Sequence, residues 1–599
     1  LLFLTARLEL RHGFRPGWRQ TRTRRHALLS IAALTVLLAP VPLINFLPLT
    51  YDAAARFLGP LTALGLVLTS TIWLLFVVGE RSKRLGIPIF TVLGLAVLVF
   101  GLVLWVGGQP VRMESRPATA TRSLEDSFIA WLNVRQPTPR HTGQPDGTKA
   151  PPRPYPVYII AAPGGGIYAA SFAASVLARL EAQCPGFSQH VFAVSAVSGG
   201  AIGSAVTNAI SRNKPSRGPV TCKSALTREP TRPELVRHLL GDDHLSATMA
   251  ATVPDVIVKL VQIGVFEARK HVHRAFGIGH PQTIEWRGRA EALETSFSAA
   301  LARMCDGTSA GARSLCGDGN VPTTLDSPFA SHWSPDRSAP ALILNTTWAE
   351  TGERIAFSPF SLAEIGDGTL RAMDDLQARQ PDTTLIRAAV VSARFPAVMP
   401  AQILHPDDRP RLWWNFVDGG YADASGTTTA LELYQALARN QKGITDRTGI
   451  AFELKLLILS EPGLVGKDAT RSGDGLIHAI SPITTLLTIR EQIGRRAVAR
   501  ALKELTSEAP QSVSQNGAPT TGCGSSRPWK VRTITLDARG LQLPLGWMLS
   551  RHTVDAIDRT IARAASKAAQ PSRTEPKDPN VDTFRAIYES LDPSCGAPS

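Results

Sequence analysis

No CxxC pair and no Cys/His cluster at metal-ligand spacing occurs in the 599 residues, which removes the usual structural zinc sites and dithiol redox centres. No GK[ST] follows any glycine run, so a Walker A phosphate loop is excluded. No calcium-loop motif is visible. Charge is sparse, at 19% of residues against 44% hydrophobic, which is apolar for a fully soluble protein. Nucleic-acid recognition motifs are absent as well. The formal net charge of +15 therefore does not argue for nucleic acid, because much of the surplus lies at the N-terminus beside apolar runs.

Those runs fill the first fifth of the chain. Ala27–Leu49 is apolar but interrupted by Pro40, Pro42 and Pro48, whereas Phe57–Gly79 and Ile87–Gly107 carry no charge. The latter two have the length, about 20 residues, that crosses a hydrocarbon core. Three transmembrane helices are therefore expected within 1–110. The chain begins on Leu1 rather than Met, so either a start upstream or a misread start is expected. Arginines from Arg7 to Arg25 precede the first run, Glu80–Arg84 joins the second and third, and the nearly neutral Thr50–Arg56 joins the first and second. By the positive-inside rule the N-terminus is cytoplasmic, and everything after Gly107 lies on the opposite side of a membrane, most simply a bacterial inner membrane.

The cysteines agree with that placement. All 6 (Cys184, Cys222, Cys305, Cys316, Cys523 and Cys595) follow the runs, an even count on one side that fits an oxidising compartment. Cys305 and Cys316 bracket a Gly/Ser-rich loop that a disulfide could close. Residues 111–154 read as a Pro-rich linker holding one short amphipathic segment, Leu124–Val134. That segment fits packing on its own domain better than lying on a membrane. A catalytic domain is expected over 155–568, and 569–599 reads as a polar tail with the composition of disorder.

Within 155–568, strand, glycine turn and helix recur. Val157–Ala162 is an apolar strand, Pro163–Gly166 a glycine turn, and Ile167–Gln183 a helix. Val191–Val197 is a second strand that stops at Ser198, Gly199 and Gly200 before a small-residue helix. Further strands are expected over 340–347, 354–357, 411–417, 454–460 and 530–536. Helices are expected over 284–304, 427–439, 477–505 and 546–568. This alternation predicts an α/β fold around a mostly parallel sheet.

Strand, tight turn and helix around Ser198 form the pattern of a nucleophile elbow, which exposes a serine Oγ. Gly199 and Gly200 let backbone approach it closely. Serine acyl transfer also needs a base and oxyanion donors. Gly164, Gly165 and Gly166, at a helix N-terminus, can aim backbone N–H groups at developing negative charge. His190, His405, His478 and His552 sit in no motif comparable to that of the serine. Asp418, at a strand end before Gly419 and Gly420, is the better base. Asp423 reads as a local turn residue.

Taken in order, these pieces resemble the patatin-like phospholipase family. Pro163–Gly166 looks like its glycine block, Ala196–Gly200 like its serine elbow (with Ala196 in place of the first glycine), and Asp418–Gly420 like its catalytic DG[GA]. Ser392–Pro400 is similar to the segment before that second motif, and Leu543–Ser550 to a late segment of some bacterial members. Ala169 stands where the family usually has a further glycine of the block. The resemblance runs from about Tyr155 to Ala568. It implies a three-layer α/β/α fold and lipid acyl hydrolysis by a Ser198–Asp418 dyad without a catalytic histidine or cofactor. The Gly164–Gly166 amides would form the oxyanion hole. The substrate would be a membrane phospholipid or another acyl-ester lipid in the bilayer that anchors the chain. The competing reading is a non-catalytic lipid-binding or scaffolding protein on the same fold.

Overall fold

The structure is a computed structural model. It describes residues 59–86, 122–135, 154–211, 232–252, 288–305, 325–363, 370–376, 383–395, 399–406, 414–461, 475–507, 529–537, 546–569 and 578–591, with a few single residues and pairs between them. The chain divides into two compact units, Leu1–Glu114 with Asp243–Ser296, and Ser115–Asp242 with Phe297–Ser599.

In the first unit the second expected span is a helix, α1 (Pro60–Leu85). Its segment Pro60–Glu80 has a mean hydropathy of 2.2. Leu61, Leu68, Ile72, Leu75 and Phe76 are all exposed on it. Among the described residues it is the one helix long and apolar enough to cross a membrane. The other two expected spans, Ala27–Leu49 and Ile87–Gly107, lie outside those residues apart from Thr91, so the three-helix bundle rests on sequence alone.

The second unit is a mixed α/β body with a mostly parallel sheet flanked by helices. Its strands are β1 (Tyr155–Ala162), β2 (Val191–Val197), β3 (Ala341–Trp348), β4 (Arg354–Phe357), β5 (Leu370–Ala372), β6 (Ala378–Arg379), β7 (Gln402–Pro406), β8 (Trp414–Asp418), β9 (Phe452–Ser460) and β10 (Val531–Thr535). The spatial order is β10-β9-β1-β2-β3-β8-β7-β6, and β4 and β5 branch from β3. From β10 to β3 every pairing is parallel, whereas β8 runs antiparallel to β3 and pairs Asp418 with Thr346. The central strands are apolar along their length because helices cover both faces.

Alternation along β1 sends Val157, Ile159 and Ala161 into one core. The same core takes in residues of α2 (Leu124–Val134), of the helix Thr427–Arg439 and of the helix Gly475–Ser507. The other face carries α3 (Ile167–Gln183) and α4 (Gly199–Ala209), packed on each other. Arg289–Cys305 forms the helix expected near 284–304. Cys184 is disulfide-bonded to Cys222, and Cys305 is also in a disulfide.

One segment packs on its own domain as the sequence suggests, and two others differ from the sequence reading. Leu124–Val134 is a core element: Phe128, Trp131 and Leu132 are fully buried, and Phe128 packs edge-on against Phe192 and Phe452 at 4.9 and 5.1 Å between ring centres. Ser123 caps this helix by accepting from the Asp126 N–H at 3.1 Å. The helix expected from Gly546 starts at Arg551, because Ser550 takes the N-cap and accepts from the Thr553 N–H, while Gly546 O accepts from the Ile167 N–H at 3.1 Å. Within the expected polar tail, Pro579–Leu591 is a helix that buries Val581, Phe584, Ile587, Tyr588 and Leu591. The apolar residues recur at helical spacing, which the polar average of 569–599 hides.

Replacing Phe128 by Ala is expected to lower unfolding stability by about 3–5 kcal/mol, measured by urea denaturation. An unchanged midpoint would show that α2 is not part of the core.

Candidate acyl-transfer site

Ser198 is held in a conformation that side chains rarely adopt. Its φ is 53° and its ψ −121°, and it is the one non-glycine residue with positive φ among those described. Such a conformation costs about 1–3 kcal/mol and persists only when the surroundings enforce it. Here β2 ends at Val197, and α4 begins at Gly199 with Ser198 as its N-cap. The Ser198 carbonyl accepts from the Ala201 and Ile202 N–H groups at 3.0 and 3.2 Å. The Ser198 N–H donates to Ser392 Oγ at 3.0 Å, and that hydroxyl donates to the Asn345 carbonyl at 2.6 Å. Ser392 ends α5 (Leu385–Ser392), and Asn345 lies in β3.

The glycine turn lies directly against this elbow. A β-carbon on Gly199 would stand 1.9 Å from Gly166 O, and one on Gly200 would stand 2.5 Å from Pro163 O. Both positions therefore require glycine. The three expected donors are not equivalent. The Gly164 N–H donates to Ala424 O at 2.9 Å and is spent. Among the described residues the N–H groups of Gly165 and Gly166 have no acceptor, and neither has that of Gly199. Gly165 and Gly166 reach this arrangement at φ of 149° and 68°. The open donor set is thus Gly165, Gly166 and Gly199, with Gly164 removed from the set expected from sequence.

Asp418 closes β8 and is fully buried. Its Oδ1 accepts from the Gly420 N–H at 2.7 Å and from Arg490 Nη2 at 3.1 Å. Its Oδ2 is buried and, among the described residues, has no hydrogen-bond partner. No hydrogen bond joins Ser198 Oγ to it in this structure. The two residues are nonetheless brought to one place. Asp418 pairs with Thr346, next to the Asn345 carbonyl that anchors the Ser198 bridge, and a β-carbon on Gly419 would stand 2.1 Å from that carbonyl. A β-carbon on Gly164 would touch both Arg490 Nη2, at 2.7 Å, and Ser198 Cβ, at 3.1 Å.

Asp423 behaves as a turn residue. It is buried and accepts from the Ser425 and Thr429 N–H groups at 3.3 and 3.2 Å, shaping the start of α6 (Thr427–Arg439); burial pushes its carboxyl up. His190 is a core residue, stacked on Tyr155 and held neutral by burial, its pKa pushed down to about 4. His552 is exposed on the helix Arg551–Ala568. The side chains of His405 and His478 fall outside the described residues.

Sequence reading missed four contributors. Arg490, on α7 (Gly475–Ser507), lies over the Phe395 ring at 5.6 Å and pairs with Asp418. Nothing in the basic pattern of that helix singles it out. Ser392 opens the segment Ser392–Pro400, but its bridging role depends on a contact across the fold. Glu461 follows the apolar run of β9, the same strand-end signal that marked Asp418. Tyr168, within the first turn of α3, donates to Glu461 Oε2 at 2.7 Å. No cluster of His, Cys, Asp or Glu that could hold a metal occurs among the described residues.

Replacing Ser392 by Ala leaves the Ser198 N–H and the Asn345 carbonyl unpaired. It is expected to lower stability by about 1–3 kcal/mol, read by chemical denaturation, and an unchanged value would show that the elbow is held by other contacts.

No family model matches this chain, and no curated protein matches it. Among solved structures it is similar to VipD from Legionella pneumophila, over 77% of this chain and 71% of that one, at 12% sequence identity. The TM-score is 0.21, a superposition too loose to carry an argument about fold or function.

Proposed function

We propose that this chain is a membrane-anchored serine acyl hydrolase of the patatin-like type that cleaves acyl esters of lipids through a Ser198–Asp418 dyad. The observation that supports the reading is the forced backbone of Ser198, packed against a glycine turn whose Gly165 and Gly166 amides have no acceptor among the described residues, together with a buried Asp418 Oδ2 that has no partner among them.

Gly420 and Arg490 hold Asp418 Oδ1, which leaves Oδ2 to act as base. Oδ2 takes the Ser198 Oγ proton as Oγ attacks the ester carbonyl carbon. The carbonyl π pair moves onto oxygen, and the Gly165, Gly166 and Gly199 amides receive that oxyanion. One such preorganised donor contributes roughly 3–4 kcal/mol in the transition state. Collapse of the intermediate expels the alcohol, which takes the proton back from Asp418. Water then attacks the acyl-serine with Asp418 again as base, releasing the fatty acid and free Ser198. General-base assistance of this kind contributes about 10²–10⁴-fold.

Anchoring follows from α1, whose apolar side chains are exposed, together with the Arg-rich stretch before it. A tethered hydrolase meets its lipid in the bilayer that holds it. The Cys184–Cys222 bridge supports an extracytoplasmic site, because such bridges persist in oxidising compartments.

Ser198→Ala should reduce hydrolysis of a short-chain ester by at least about 10²-fold with unchanged melting temperature, and Asp418→Asn should do so per folded molecule while lowering the melting temperature through the unpaired Arg490. Covalent labelling by a fluorophosphonate should require Ser198. Full activity in Ser198→Ala would refute the dyad. A folded protein that neither hydrolyses esters nor takes the label would favour the lipid-binding reading.

A further inference from the structure

A second carboxyl group lies against the glycine turn. Glu461 is the first residue after β9, and a β-carbon on Gly165 would stand 2.8 Å from its Oε1 and 2.6 Å from the Tyr168 hydroxyl. The Tyr168 hydroxyl donates to Oε2. Oε1 is closed off from solvent and, among the described residues, has no partner. No salt bridge holds Glu461 among the described residues, so burial disfavours its charged form; a neutral acid there carries an O–H that lacks an acceptor until a bound group supplies one. Since Oε2 already accepts from Tyr168, the proton of the neutral acid sits on Oε1.

The surroundings agree with that state. Burial is the main influence and pushes the Glu461 pKa up to about 8; Tyr168 and the Arg490 charge pull it down, and Glu491 pushes it up. These groups come from α3 and α7, the helices that face it. Asp418 and Glu461 thus have different duties. The first is ion-paired with Arg490 and offers an acceptor oxygen, and the second has no salt bridge among the described residues and offers a donor when protonated.

We propose that Glu461, protonated on Oε1, is a further oxyanion donor of the site, adding an O–H to the Gly165 and Gly166 amides. The inference rests on the acyl-hydrolase reading. Glu461 keeps its proton throughout the cycle, so no additional proton transfer is needed. Once ionised it loses the donor and sets a negative charge beside the developing oxyanion. The rate therefore falls as pH rises through the Glu461 titration, and the donor is intact below it.

The test measures kcat and KM on a short-chain ester, and the rate of fluorophosphonate labelling, from about pH 6 to about pH 10 in the full-length protein. The wild-type rates should fall across about pH 8. Glu461→Gln retains an N–H donor that does not titrate. It should keep the neutral-pH kcat within about tenfold and lose the alkaline fall. Glu461→Ala should lower kcat by about 10²–10³-fold at neutral pH with little change in KM. An alkaline fall that persists unchanged in Glu461→Gln, while labelling still requires Ser198, overturns this inference alone. Wild-type protein that is never labelled through Ser198 overturns the hydrolase reading and this inference with it.

Discussion

The unfavourable backbone of Ser198 is the constraint on which the site depends. It is held by a short buried relay: the Ser198 N–H, the Ser392 hydroxyl and the Asn345 carbonyl. Asn345 also gives its side chain to the same region. Its Nδ2 donates to Ser195 Oγ and Ala196 O, and its Oδ1 accepts from Thr429 Oγ1. One asparagine in β3 therefore joins the strand that presents the serine to the helix after the aspartate motif. Ser195 Oγ in turn donates to Gly426 O, which ties β2 to the loop before α6. Backbone strain of about 1–3 kcal/mol is tolerable because several buried hydrogen bonds, each worth about 1 kcal/mol net, converge on it.

Close backbone packing is the second half of the same constraint. Gly199 and Gly200 press on the glycine turn, Gly419 on the Asn345 carbonyl and Gly426 on Ser195 O. At each of these positions a β-carbon would lie within 2.6 Å of a backbone oxygen. The serine and aspartate turns thus depend on glycines whose chief property is the lack of a side chain. That explains why they are readable in sequence. A glycine needed for contact leaves a visible mark, whereas a serine or arginine that reaches across the fold looks like any other.

The legible parts follow from that difference. The strand–glycine–helix units, the serine and the DGG turn were all apparent, because local pattern and local geometry coincide there. Gly164 could not be separated from Gly165 and Gly166, since its amide is removed by Ala424, a residue far away in the chain. Arg490 was hidden among the other basic residues of α7. Glu461 had a local signal, a carboxylate ending an apolar strand, but no motif to draw attention to it. The helix Pro579–Leu591 was hidden by averaging, because its few apolar residues sit in a polar stretch. Residues 124–134 were legible as a helix that packs on its own domain, and their place in the central core depends on Phe192 and Phe452, which only the fold brings near.

The sheet order has a consequence for how the molecule comes into being. β1 lies between β2 and β9, so the pairing of Tyr155 with Phe452 joins segments 297 positions apart in the chain. Contacts of such long sequence separation form slowly, because the intervening chain must be ordered first. During synthesis the serine elbow emerges well before the aspartate, the arginine and the strand that completes the centre of the sheet. A growing chain therefore carries Ser198 for a long interval without the Asp418–Arg490 pair that closes the same region of the fold. A chain that stops before β9 carries the strained Ser198 turn without the strand that flanks β1 on its other side.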